Sequence, residues 1–332
     1  MSAPLLEIED LAVRFRVMGL VDSLFRHGPR YVDAVAHVSL SLERGSTLAI
    51  VGESGSGKTT LARAILGLVP VAGGDIRLEG RSIIDRSDRR MKDARRLMAM
   101  TFQDPIGSLN PRLSVRTSLA EPFRVHGIGT ADLDDRVSRL LDLVGLPRGF
   151  ADRYPHELSG GQARRVGVAR ALSLEPRLII ADEPTAGLDV SIQGEILNLF
   201  NELQDRLGVA FLIITHNLSI VRHIAGRTAV MYLGRIVEEA PSEQLFATPR
   251  HPYTLALTSA NPEPDPDARR RRFQLTGETP SLFARPDGCE LNPRCPMATE
   301  RCRSLAPAAQ VLDHTARVTC HFPLGLDRRP EG

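Results

Sequence analysis

The chain lacks an apolar run long enough to span a bilayer: stretches such as Ala210 to Ile214 are strand-sized, far below the ~18 uninterrupted apolar residues a spanning helix needs. It has no cysteine in its first 288 residues; all four, Cys289, Cys295, Cys302 and Cys320, fall in one 32-residue segment, which marks a separate C-terminal module. It lacks an excess of charge of either sign. Forty-two basic against forty acidic residues give a net charge of +2, so no global field recruits nucleic acid or an anionic membrane. Nor does it open like a secretory leader, because Glu7, Glu9 and Asp10 stand where a basic region and then a long apolar one belong; a cytosolic address is expected. What is present is 42% hydrophobic and 25% charged residues over 332 positions. That composition excludes disordered, collagenous and small disulfide-scaffold classes, and the length allows two units.

Short apolar runs alternate with helical patterns through the first 240 residues. Leu48 to Val51, Ala99 to Phe102, Leu178 to Ala181 and Phe211 to Thr215 read as buried parallel strands. Val190 to Leu207 repeats Ile192, Ile196, Leu199, Phe200 and Leu203 at helical spacing. Between residues 105 and 157 two helical patterns, Val115 to Val125 and Ala131 to Val144, come without a strand between them, which reads as an inserted helical subdomain. Leu6 to Val17 and Val32 to Leu42 alternate as strands of an antiparallel sheet do. Residues 261–288 hold Pro262, Pro264, Pro266, Pro280, Pro286 and the run Arg269 to Arg272, a linker or extended arm.

The chemistry begins at Gly52-Glu53-Ser54-Gly55-Ser56-Gly57-Lys58-Thr59, continued by Thr60. The run follows an apolar strand and opens a helix, the context of a phosphate-binding loop. Glycines let successive N–H groups curl around phosphate oxygens, the helix start adds its positive end, Lys58 brings a cation, and Thr59 offers a hydroxyl to Mg²⁺. Leu178 to Ala181 runs into Asp182 and Glu183: the first suits Mg²⁺, the second a water-polarising base. Alone, such a pair equally suits a solvated turn or a helix cap.

Leu158-Ser159-Gly160-Gly161-Gln162 opens a further helical run, Ala163 to Leu174. With this pentapeptide the chain resembles the ATP-binding subunits of ABC transporters, whose signature it is. The resemblance implies an α/β fold with a RecA-like mixed sheet core, an N-terminal antiparallel subdomain and an inserted helical subdomain at about 104–157. It sets an ATPase domain over 1–260 and a small cysteine-containing extension over 261–332. It further implies that Gln103 is the glutamine loop, that Ala186-Gly187-Leu188-Asp189 is the D-loop (Gly187 standing where Ala is more usual), and that His216 holds the γ-phosphate and attacking water beside Glu183. Glu183, His216 and Gln103 are then the catalytic set, and Thr59, Gln103 and Asp182 the Mg²⁺ set. ATP lies between the loop of one subunit and Ser159, Gly160, Gly161 and Gln162 of a second, with Asp189 nearby; Phe15, then Tyr31, is the candidate to stack on adenine.

Gln103 to Arg112, and the tail from His251-Pro252-Tyr253 through the cysteines, look like the oligopeptide, dipeptide and nickel importer subfamily. The insertion between Arg16 and Val32, with Leu24-Phe25, looks more like the second ATPase of such operons than the first. Implied are ATP hydrolysis driving import of peptides or a related small solute and a second, different ATPase subunit as partner. Two membrane permease subunits received by the helical insertion, an extracytoplasmic solute-binding protein acting indirectly, and a peripheral place on the cytoplasmic face of the inner membrane complete the expectation. The rival class is a soluble ABC ATPase acting on nucleic acid or ribosomes; no paired cassette, long coiled coil or inserted zinc module is visible to support it. In some members of the subfamily the C-terminal cysteines are associated with an iron–sulfur cluster. The gaps here, five, six and seventeen residues, match neither ferredoxin nor zinc-finger spacing. A [4Fe–4S] cluster is expected, with zinc or unligated buried thiols as alternatives and His314 and His321 as substitute ligands.

Overall fold

The computed structural model describes residues 3–17, 31–84, 88–129, 131–260, 273–313 and 315–326. Leu24-Phe25 of the insertion, Pro262, Pro264, Pro266, the run Arg269 to Arg272, and His314 lie outside them. In chain order the elements are β1 (Leu6–Arg16), β2 (Tyr31–Leu42), β3 (Thr47–Val51), α1 (Lys58–Ile65), β4 (Gly73–Leu78), β5 (Arg81–Ser82), α2 (Asp88–Leu97), β6 (Met98–Thr101), α3 (Val115–Val125), α4 (Leu133–Leu143), α5 (Gly160–Leu172), β7 (Leu178–Asp182), α6 (Val190–Leu207), β8 (Ala210–Thr215), α7 (Leu218–Ile224), β9 (Arg227–Tyr232), β10 (Arg235–Pro241), α8 (Ser242–Ala247), α9 (Pro252–Ala260), α10 (Glu300–Ser304), β11 (Gln310–Asp313) and β12 (Ala316–Val318). The chain divides into two compact units.

The first unit comprises Met1–Glu7, Ser41–Thr47 and Arg77–Ile214. Its strands β6, β7 and β8 are parallel neighbours, with Met98 opposite Leu178 and Leu178 opposite Ala210. Side chains from Leu178 to Ala181 are fully buried, which is why this strand reads as an unbroken apolar run rather than an alternation. Helices α3 and α4, the expected pair without a strand between them, pack with α5 and the short turn Arg148–Asp152. Ser114 caps α3, its hydroxyl accepting from the Thr117 N–H at 3.3 Å.

The second unit comprises Ile8–Leu40, Leu48–Ile76 and Thr215–Gly332. Here β3 pairs in parallel with β9, and β9 with antiparallel β10 through a bulge between Ile236 and Glu238. Strands β12 and β11 then extend the sheet antiparallel. Its core gathers Val51, Val230, Tyr232, Leu245, Tyr253 and Leu291, with Leu275, Leu282 and Leu312 against them. The C-terminal residues therefore bury apolar side chains on this sheet rather than building a core of their own. In β1, Leu11 and Val13 are fully buried, while Phe15, two residues further along the same face, is exposed near the strand's end. Among the described residues no helix is long and apolar enough to cross a membrane.

Candidate functional site

In the second unit, fully buried β3 delivers the chain into the loop Gly52 to Gly57, and α1 starts at Lys58. Gly57 has φ 103°, and a Cβ there would run into the Ala34 carbonyl, just as one at Gly52 would run into that of Met231. Only glycine permits that close approach. The Lys58 side chain is folded inward: Nζ donates to the carbonyls of Gly52 and Glu53 at 2.8 Å each and to Ser56 Oγ at 3.3 Å. An ammonium at the centre of a backbone curl, at a helix start with no acidic residue in its first turn, is a built anion cradle. Thr59 and Thr60 lie half-buried in that first turn.

Glu53 is the one acid in the loop, and its environment was not legible from the motif. Arg294 forks onto it, Nη1 to Oε2 at 2.9 Å and Nη2 to Oε1 at 3.0 Å. Thr279 Oγ1 donates to Oε2 at 2.6 Å, and the Tyr253 hydroxyl accepts from the Glu53 N–H at 2.9 Å. Burial would raise the Glu53 carboxyl's pKa, but the bonds from Arg294 and Thr279 hold it below the ordinary value. His216, exposed, belongs to this unit, just before Asn217, whose side chain caps α7. Phe15 and Tyr31 also belong here, 39% and 47% exposed.

The first unit carries the other predicted residues. Asp182, 6% exposed, ends β7. Glu183 follows with φ 47°, a left-handed conformation that non-glycine residues rarely adopt, and its N–H donates to the Ile214 carbonyl at 2.8 Å. Ser159 caps α5 in a reciprocal box: its Oγ accepts from the Gln162 N–H at 3.3 Å, while Gln162 Oε1 accepts from the Ser159 N–H at 3.0 Å. A Cβ on Gly161 would press on Ile192, and one on Gly160 would touch Leu188, so the signature lies against the turn that holds Asp189. Asp189 caps α6, accepting from the Ile192 N–H at 3.0 Å. Gln103 sits exposed after β6.

Arg164 ties these pieces together. Only 1% exposed, it donates from Nη1 to the Phe102 carbonyl at 2.6 Å, and from Nη2 to the carbonyls of Gln103 at 2.8 Å and Ala186 at 3.3 Å. Burial lowers its pKa. The sequence offers two adjacent arginines, and their spacing does not separate Arg164 from Arg165, which instead pairs with Glu195 on the surface.

The expected cluster on Cys289, Cys295, Cys302 and Cys320 is overturned. Among the described residues no group of three or more His, Cys, Asp or Glu side chains is placed to hold a metal ion. The four thiols are free of disulfides, and burial pushes Cys289 up to about 11 and Cys320 up to about 12, with Cys295 also raised. Cys289 and Cys295 pack against the second unit's apolar core, and His321 binds the Leu305 carbonyl at 2.7 Å. The spacing mismatch was the sequence signal against the cluster.

The family described as ABC transporter matches residues 35–186, and that described as oligopeptide/dipeptide transporter, C-terminal region, matches residues 237–302. The chain is 45% identical over 307 residues (92% of this chain, 94% of the other) to a Brucella ovis protein provisionally named a peptide import ATP-binding protein. It is 43% identical over 295 residues (89% and 91%) to the di/tripeptide transport ATP-binding protein DppF of Pseudomonas aeruginosa. Among solved structures it is similar to cbiO1 of Clostridium perfringens, part of an ABC transporter complex, with TM-score 0.64 and 29% identity over 74% of this chain and 92% of that one. A dimeric post-hydrolysis state of the ATP-binding cassette MJ0796 bound to ADP and phosphate gives TM-score 0.62 and 26% identity over 71% of this chain and 98% of that one. The relatives named here are called ATP-binding proteins, and none of their names speaks of a cluster.

Proposed function

The chain belongs to the ATP-binding subunits of ABC transporters, and from that premise we propose that it hydrolyses ATP to drive import of dipeptides or oligopeptides through a membrane permease. The observation that carries the reading is the cradle Gly52 to Lys58, glycine-lined and closed around an inward ammonium. The ATP phosphates replace the loop carbonyls as partners of Lys58, and the N–H groups at the start of α1 bind the same oxygens. Ser54, Gly55, Ser56, Thr59 and Thr60 complete the cradle, and Phe15 stacks on adenine. The hydroxyl of Thr59, the carboxylate of Asp182 and the amide oxygen of Gln103 are hard oxygen ligands of the kind Mg²⁺ takes, and these residues would hold it, where it would neutralise phosphate charge. Glu183 takes the proton from the attacking water, and His216 steadies the γ-phosphate and that water. Ser159, Gly160 and Gly161 serve the nucleotide of a second ATPase subunit, with Asp189 beside them. The ATPase domain spans 1–260, its helical part at about 104–157 receives two permease subunits, and the extension spans 261–332. The subunit works peripherally on the inner membrane's cytoplasmic face, with a different ATPase subunit and, indirectly, a solute-binding protein. The rival reading, a soluble cassette on nucleic acid or ribosomes, has no support in the matched C-terminal region or in the relatives' names.

The test is Glu183→Gln in the assembled transporter. ATP still binds, but steady-state hydrolysis falls ~10² to 10⁴-fold, the usual cost of losing a general base. A rate within twofold of wild type refutes the role of Glu183.

A further inference from the structure

The loop that receives polyanionic phosphates carries a carboxylate, and like charges at short range in half-buried surroundings repel. Glu53 would oppose the ligand, and it would also compete for Lys58, whose charge acts on it. Among the described residues outside the loop itself, the groups that hydrogen-bond Glu53 come from residues 253–294: the Arg294 fork, the Thr279 hydroxyl and the Tyr253 hydroxyl. Arg294 is itself fixed. It is 8% exposed, its N–H donates to the Leu291 carbonyl at 2.9 Å, its carbonyl accepts from the Thr276 N–H at 3.0 Å, and its guanidinium lies 5.9 Å from the Tyr232 ring centre. A planar fork on a carboxylate fixes orientation as well as charge. Tyr253 sits fully buried beside Tyr232, ring centres 4.7 Å apart, so its hydroxyl is a fixed anchor for the loop backbone at Glu53.

We propose that Arg294 of the C-terminal region is a positioning residue of the nucleotide loop: it neutralises and orients Glu53, leaving Lys58 and the loop N–H groups to the phosphates of ATP. This rests on the reading of residues 52–60 as the phosphate cradle. It gives the C-terminal region a direct part in nucleotide affinity, beyond burying apolar surface on the sheet.

The test is equilibrium binding of Mg·ATP to the full chain, with thermal unfolding of each variant as a check of folding. Arg294→Met is expected to weaken binding about tenfold or more, because it strands the Glu53 charge beside the cradle. The double variant Glu53→Gln with Arg294→Met recovers most of that loss, compared at a temperature where thermal unfolding shows both variants fully folded, so that the recovery reports the stranded charge and not the fraction folded. Arg294→Lys, which keeps the charge without the fork, falls between. If Arg294→Met does not fold, Arg294→Gln with and without Glu53→Gln carries the same comparison. Binding by the single Arg294 variant within twofold of wild type, or a double variant as weak as the single, overturns the proposal. Lys58→Ala separates the layers: if wild type fails to bind ATP, or Lys58→Ala binds as tightly as wild type, the cradle reading falls and this proposal with it.

Discussion

Arg164 shows how much one buried side chain organises. Its guanidinium accounts for carbonyls of Phe102, Gln103 and Ala186 at once, joining the segment after β6, helix α5 and the turn before Asp189 inside the first unit. Removing such a group leaves buried carbonyls without donors, each costing ~1–3 kcal/mol. Arg164→Met is therefore expected to lose about 2–4 kcal/mol of stability and to depress ATP turnover more than ATP binding, since the phosphate loop makes none of these bonds. Denaturant midpoints and the ratio of kcat to KM effects check this; an unchanged kcat with intact folding refutes it. Arg164→Lys should not rescue, because one ammonium does not reproduce the planar spread of donors.

Among the elements, the start of α5 does two jobs. The reciprocal box between Ser159 and Gln162 secures the helix, and the role proposed for the remaining N–H groups at its start is that of an anion site. The two jobs separate by substitution. Ser159→Ala removes a cap and costs roughly 1 kcal/mol, read in the unfolding midpoint. Ser159→Arg additionally fills the anion site. In a mixed dimer it should lower occupancy of the nucleotide held by the partner's loop; damage confined to the nucleotide on its own subunit's loop contradicts the head-to-tail arrangement. Element types were legible because period and burial agree: β7 and β8 are buried throughout, and the 115–125 and 133–143 helices fall where their patterns lie. The helix after the loop ends at Ile65, because Gly67 takes φ 63° and breaks it.

At the scale of the whole molecule, a buried polar pair of the second unit contributes to the response to acid. His251 is fully buried and neutral, Nδ1 accepting from the Tyr253 N–H at 3.1 Å, and burial drives its pKa down to about 3. Unfolding exposes an imidazole of ordinary pKa near 6.5, so the unfolded chain binds more protons below that pH. The stability His251 confers is complete above about pH 6.5 and is lost as pH falls towards 3, by up to ~2 kcal/mol at pH 5. Glu238 opposes this: burial raises its pKa, so its share is present below 4.5 and lost as pH rises through the raised value. It accepts from the N–H groups of Arg250 and His251 at 2.8 Å each. The net expectation is a lower Tm at pH 5 than at pH 7, and a flatter profile in His251→Asn; an equal drop in both proteins removes His251 as its source.

The sequence by itself determined the fold class and the family, because both are carried by local patterns in which chain neighbours supply one chemistry; the same patterns supply the residues from which the nucleotide site is proposed. It did not determine which of Arg164 and Arg165 turns inward, that Arg294 closes on Glu53 from 241 residues away, or whether four grouped thiols converge on a metal. Those depend on which side chains burial brings together. Only the packed tertiary structure decides such questions, because the distances and the desolvation that settle them do not exist along an extended chain.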